Sequence, residues 1–222
     1  EEVDMEAADE VGNTALRRAA AGGRAAAIEA LVAAGANVEA ADNNGFTALH
    51  RAAQQGHAPC IIMLLEAGAD LTATRRSGWV PLHHAAAHGH APSVTTLIEA
   101  GADVNARDPR PDYKGYTALL HAAAQGNVNL VRSMLDAGAD MEAKCDVRRN
   151  TPLYGAAVNN HPKVVEVLLA HGAEVSPVNN DGYTPLGAAA TEGHIKVVKA
   201  LLKAGADPSQ RLGGGIGKNS AE

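Results

Sequence analysis

Aromatic residues are almost missing from this chain: one Phe, one Trp and four Tyr among 222 residues, 3% of the total. A core without rings must be built from Ala, Leu and Val, and small contact residues let helices approach closely, which favours thin layers. Cysteine is as scarce. Cys60 and Cys145 fit neither a disulfide framework nor a zinc motif, so a reducing compartment, cytoplasmic or nuclear, is expected. No run approaches the ~18 uninterrupted apolar residues of a membrane helix, and membrane insertion is not expected. No basic excess exists either. The net charge of −6 lies entirely in residues 1–50, with nine acids against three bases, and the remainder balances at 16 and 16. General nucleic-acid binding, which needs a basic face, is disfavoured. Gly-x-Ser-x-Gly, His-Glu-x-x-His and a glycine-rich loop between strand and helix are all absent. Catalysis has no support, and no cofactor is expected. The chain opens on Glu1 with no secretory leader, which reads as a segment of a longer protein or a processed form.

What is present is a period. Gly12, Gly45, Gly78, Gly115 and Gly182 each precede an aromatic or Asn and then Thr or Val, at spacings of 33, 33, 37 and 67. The last gap holds one more unit, in which Arg149 replaces the glycine and Thr151 restores the phase. Gly35, Gly68, Gly101, Gly138, Gly172 and Gly205 form a second ruler with steps of 33, 33, 37, 34 and 33. Two rulers give one register. Within each unit Thr-x-Leu opens a short helix carrying an Ala pair. A Gly such as Gly56 or Gly126 ends it, because glycine enters the left-handed cap conformation cheaply. A second helix follows, with apolar residues at helical spacing (Ile61, Leu64, Leu65) and Pro59, Pro92 or Pro162 in its first turn. One such unit cannot bury its own apolar faces, so neighbours must stack.

These residues resemble the ankyrin repeat. Its hallmark segment appears as Thr47-Ala48-Leu49-His50-Arg51-Ala52-Ala53 and, less completely, as Val80 to Ala86. The Gly-Ala-Asp-Val-Asn ending is complete at Gly101 to Asn105. The resemblance implies an all-α solenoid of helix–turn–helix units with short β-hairpin fingers, and fingers and first helices forming a concave face. Six repeats are placed at 9–41, 42–74, 75–107, 112–144, 146–178 and 179–210, with a finger insertion at 108–111. An acidic tail (1–8) and a Gly-rich tail (211–222) flank them. Arg17, Arg18 and Arg24 are expected to make the first unit polar, and Lys196, Lys199 and Lys203 the last, as terminal repeats require. Similar ankyrin proteins are hydroxylated at an Asn eight residues after a Leu. Here that pair is Leu97 and Asn105, a candidate modification site.

Two lookalikes carry less. Leu212 to Asn219 resembles a phosphate loop but lacks its first Gly and its Ser or Thr. His84 and His88 could share a helix face, with His121 at the place of His84 in the next unit. No acid or cysteine completes a shell, so no metal is expected.

Partner contacts are expected on the fingers. Phe46, Trp79, Tyr116 and Tyr183 each follow a turn glycine, and Tyr113 shares a finger with Tyr116. These rings read as partner-facing anchors, since aromatics dominate interface hot spots. The competing reading is that they brace the hairpins. Arg75, Arg76, Arg107, Arg110, Lys114, Lys144, Arg148 and Arg149 gather in the joints of units three to five. Gln54, Gln55, His88, Gln125 and Asn159 end the first helices and would add polar contacts. The expected function is therefore a non-enzymatic module, monomeric by itself, binding a protein or peptide segment that is acidic and partly apolar. The alternatives are a phosphorylated small molecule or single-stranded nucleic acid on the same face, or a regulatory ankyrin segment of a larger enzyme or channel.

Overall fold

The computed structural model describes residues 6–210; the first five residues of the acidic tail and the stretch from 211, with the phosphate-loop lookalike, lie outside the described residues. Twelve α-helices pair off among the described residues. The pairs are α1 (Ala15–Ala21) with α2 (Ala25–Ala33), α3 (Ala48–Gln55) with α4 (Ala58–Glu66), and α5 (Pro81–Ala87) with α6 (Ala91–Glu99). They continue as α7 (Ala118–Gln125) with α8 (Val128–Asp136), α9 (Pro152–Val158) with α10 (Pro162–Ala170), and α11 (Pro185–Thr191) with α12 (Ile195–Lys203). Each first helix packs on the first helix of the next unit and each second helix on the next second helix, giving two layers. The alanine pairs Ala52-Ala53, Ala85-Ala86, Ala122-Ala123 and Ala156-Ala157 are wholly buried between first helices. A larger side chain there would overpack the layer.

Local chemistry sets the helix starts. Thr14, Thr47, Thr117, Thr151 and Thr184 each accept the backbone N–H three residues on, which satisfies one of the unpaired amides of a helix N-terminus. Val80 cannot do this. There the His83 amide donates to the Val80 carbonyl at 3.1 Å, and the His83 ring accepts the Val80 amide through Nδ1 at 3.3 Å. The His50 ring likewise accepts the Thr47 amide, and its Nε2–H donates to the Trp79 carbonyl of the following finger.

A side chain at the start of each later second helix reaches back one unit. The Nε2–H groups of His57, His90, His161 and His194 donate to the carbonyls of Ala21, Gln54, Ala124 and Val158, at 3.0–3.1 Å. Asn127 serves in unit four, through Nδ2 to Gly89. This contact constrains the helix-ending glycines twice over. Gly126 has φ 76°, and a Cβ on it would stand 2.3 Å from His161 Nδ1.

The fingers differ from expectation in one respect. No strand forms among the described residues, and each finger is a closed turn. In finger two the Asp42 amide donates to Phe46 O and the Gly45 amide to Asp42 O. Single backbone bonds join neighbouring fingers, as from the Arg76 amide to Asn44 O. So few bonds define a turn but no ladder. Arg17 is a second correction. Rather than forming a polar outer face, it is 1% exposed, donating to Gly12 O and pairing with Asp42 at 2.6 Å. Arg18, Arg24, Lys196, Lys199 and Lys203 are exposed.

The glycine–histidine contact is separable by substitution. Gly126→Ala should destabilise the fold by more than His161→Ala, whose lost hydrogen bond costs about 1 kcal/mol. In the His161→Ala background the added cost of Gly126→Ala should fall to the left-handed strain alone, about 1–2 kcal/mol. Denaturant melts of the four proteins check this, and strict additivity would contradict it.

Candidate functional site

The fingers are held by one recurring acceptor. Asp9, Asp42 and Asn179 each accept two turn amides through Oδ1, and Asp108 accepts that of Arg110. Fingers three and five lack this device, carrying Arg75 and Cys145 at the equivalent places. The expected insertion lies in finger four, where the Asp108 amide closes onto Tyr116 O and the extra length forms a 3₁₀ turn at Pro111–Tyr113. Because Asp108 plays the part of Asp42, the added residues fall after it. Finger five is one residue longer than finger two. Its closing bond runs from the Cys145 amide to Asn150 O, and Arg149 occupies the left-handed region at φ 54°.

The rings expected to face a partner divide into two groups. Phe46 and Trp79 are buried, 6% and 5% exposed, so they cannot present the large free faces expected of anchors. Guanidinium groups cover them: Arg51 and Arg75 lie 4.3 and 5.0 Å from the Phe46 centroid, Arg75 and Arg110 5.4 and 3.8 Å from that of Trp79. Imidazoles fill the spaces between rings. His84 lies 5.0 Å from Phe46 and 4.7 Å from Trp79; His121 lies 6.2 Å from Trp79 and 5.1 Å from Tyr116. Alternating π faces and cations attract, so these two rings brace the fingers. Tyr113 is 43% exposed although Arg110 sits 4.5 Å from its centroid. Tyr116 and Tyr183 are half-buried.

The basic residues divide likewise. Arg110 binds the buried carboxylate of Asp108 through Nε and Nη2, and Arg107 pairs with Asp146 at 2.5 Å. Burial pushes the Asp108 carboxyl upward, but the Arg110 bonds outweigh it and hold it below the ordinary carboxylate range. Lys114, Lys144, Arg148 and Arg149 form no ion pair among the described residues, nor does the exposed Arg76. Gln55, His88, Gln125 and Asn159 are exposed at the first-helix ends and Gln54 is half-buried. Gln125 donates to Ala87 O, and the ring Nδ1 of His88 bonds to His84 O. Asn105 is half-buried, its Oδ1 accepting the Asp140 amide at 2.8 Å.

A cleft of about 400 Å³ opens between fingers four and five, lined by Pro111, Asp112 and Tyr116 on one side and Cys145, Val147, Arg148 and Asn150 on the other. Sequence reasoning missed Pro111 and Asp112 of the longer finger, and it missed Cys145, Val147 and Asn150. The signal of these last three was the broken repeat pattern of finger five, which does not by itself say that its residues face Pro111. Two grooves, about 270 and 380 Å³, lie on the second-helix side, beside Glu66 and Arg132 respectively. Among the described residues no three His, Cys, Asp or Glu side chains converge to hold a metal ion. No described helix is long and apolar enough to cross a membrane.

The histidines between the rings make stability depend on pH. Burial lowers His84 to about 2 and His121 to about 4, and lowers His50 and His83 from 6.5 as well. His121 therefore stands neutral at 3.5 Å from Asp108 at pH 7. With folded values depressed, protons favour the unfolded chain. The full stability is present above pH about 6.5 and declines as pH falls towards about 4. The melting temperature should drop between pH 7 and 5, and His84→Phe should shrink the drop; an equal drop in that variant would contradict the assignment.

Comparison with known proteins agrees with this architecture. The family model for ankyrin repeats (3 copies) matches residues 1–75, 73–145 and 120–211. The chain is similar to the human ASB11 ankyrin repeat domain, at 30% identity and TM-score 0.79, over 90% of this chain and 87% of that one. It is similar also to the ankyrin repeat domain of Bcl-3, described as a unique member of the IkappaB protein family, at 30% identity and TM-score 0.80, over 91% and 90% of the two chains. No curated protein sequence matches. Six stacked helix pairs in one register, with the family match along their length, establish that this chain belongs to the ankyrin-repeat family.

Proposed function

We propose that the chain is a non-catalytic adaptor that binds an extended acidic, partly apolar segment of a partner along its fingers and first-helix ends in units three to five. Ankyrin-repeat domains are general protein–protein interaction modules, and concave solenoid faces serve as extended binding surfaces. The observation that carries the finer reading is the division of charge. Arg107 and Arg110 are neutralised by Asp146 and Asp108, whereas Lys114, Lys144, Arg148 and Arg149 have no such partner. Arg148 lines the cleft, with Asp112 the acid lining it, and Lys114, Lys144 and Arg149 lie on the two fingers that form it. An acidic ligand would supply the missing charge. The buried, guanidinium-covered faces of Phe46 and Trp79 offer no stacking platform, which removes two of the rings that single-stranded nucleic acid would use. Free, buried Cys60 and Cys145 suit a cytoplasmic or nuclear setting.

Peptides selected from a displayed random library on the immobilised protein provide the probe. Arg148→Glu with Arg149→Glu should weaken their binding at least tenfold and flatten its salt dependence, mainly through slower association. Glu66→Ala and Arg132→Ala, in the second-helix grooves, should leave affinity within twofold, with thermal melts recorded for every variant. Binding that survives the arginine reversal but is lost on the second-helix side would refute the concave reading.

A further inference from the structure

We infer that the cleft between fingers four and five is an anchor pocket for one large apolar side chain, carried by a partner segment with carboxylates beside it. The inference rests on the groove reading above and deepens it by naming where and how the segment is gripped.

At this junction three groups that recur at the others are absent. In units two to four the ring of each finger meets an imidazole or guanidinium from the second residue after the helix-opening Leu. Arg51 covers Phe46, His84 lies between Phe46 and Trp79, and His121 between Trp79 and Tyr116. By the same step Tyr116 should meet residue 155 of unit five, and that residue is glycine. Finger five also carries Asn150 where fingers two, three, four and six carry Phe46, Trp79, Tyr116 and Tyr183, and Cys145 where most carry an acceptor. The interlocked row of rings stops at Tyr116 and leaves one side of that ring against open space.

The lining is mixed. Tyr116, Pro111 and Val147 offer an apolar wall, Val147 being 58% exposed, and Asp112, Arg148 and Asn150 supply polar groups beside it. The volume of about 400 Å³ lies at the small end of the range for ligand pockets, roughly 300–1,000 Å³, enough for a side chain but not for a helix. The rim is cationic. Arg148 lines the cleft, Arg149 follows it, and Lys114 and Lys144 lie on the two fingers that form it. A segment entering here places its apolar side chain between Tyr116 and Asn150 and its flanking carboxylates on the rim.

Restoring the missing filler tests this directly. Gly155→His returns the residue of units three and four, and Gly155→Ala is the matched control that leaves the cleft open. Gly155 has no left-handed φ, and a Cβ there meets Ala124 Cβ at an ordinary 3.7 Å, so both variants should fold. Peptides selected from a displayed random library should show a large apolar residue flanked by Asp or Glu. The selected peptide should bind Gly155→His at least tenfold more weakly and Gly155→Ala unchanged, both variants melting at or above the parent temperature. Unchanged affinity for Gly155→His, or selection without that pattern, overturns the pocket. If such peptides still respond to the Arg148 and Arg149 reversal, the groove reading survives without the pocket. If they respond to neither, both fall.

Discussion

Every unit of this protein after the first is tied to its predecessor by one side chain that reaches backward. The imidazoles of His57, His90, His161 and His194, and the amide of Asn127, donate to carbonyls near the end of the preceding first helix. Those carbonyls belong to helix ends, where backbone acceptors lack helical partners. The contact therefore satisfies a local need and fixes the register of the stack at once. Close approach follows from it: glycine at Gly126 gives the ring room, and the buried alanine pairs let the first helices draw together. With units held in one register, the fingers come into line, and single backbone bonds join neighbours, as from the Arg76 amide to Asn44 O.

Regularity makes the scaffold, and departures from it make the candidate site. Arg75 stands where four of the fingers carry Asp or Asn, and its guanidinium lies near both Phe46 and Trp79. Units two to four are thereby welded into a row of rings and cations with little free surface. Unit five breaks the row with Cys145, Asn150 and Gly155, while the longer finger four supplies Pro111 and Asp112 as an opposing wall. Insertion and substitution at adjacent joints thus converge on one cleft. The cations beside it are those that the internal carboxylates leave unpaired.

The period, the six units and the order of helices were legible in the sequence because each is fixed within about 33 residues and repeated. The threonine caps and helix-ending glycines were legible for the same reason. Ring orientation was not. A ring after a turn glycine can face solvent or lie under a guanidinium, and although Arg51 lies five residues from Phe46, Arg75 and Arg110 reach Phe46 and Trp79 from the following fingers. Arg17 misled for a related reason: its partner Asp42 lies a unit away. Among the expected site residues, Lys114, Arg148 and Arg149 emerged exposed, whereas Phe46 and Trp79 emerged as bracing. The cleft needed knowledge of which residues of two fingers oppose each other, which pattern alone does not give.

The most direct test of the account is a crystal structure of the protein with a bound partner peptide. The account predicts an extended segment on the finger side, one large apolar side chain seated between Tyr116 and Asn150, and a carboxylate within 4 Å of Arg148 or Arg149. A peptide lying on the second helices beside Glu66 or Arg132, with the cleft between fingers four and five unoccupied, would contradict it.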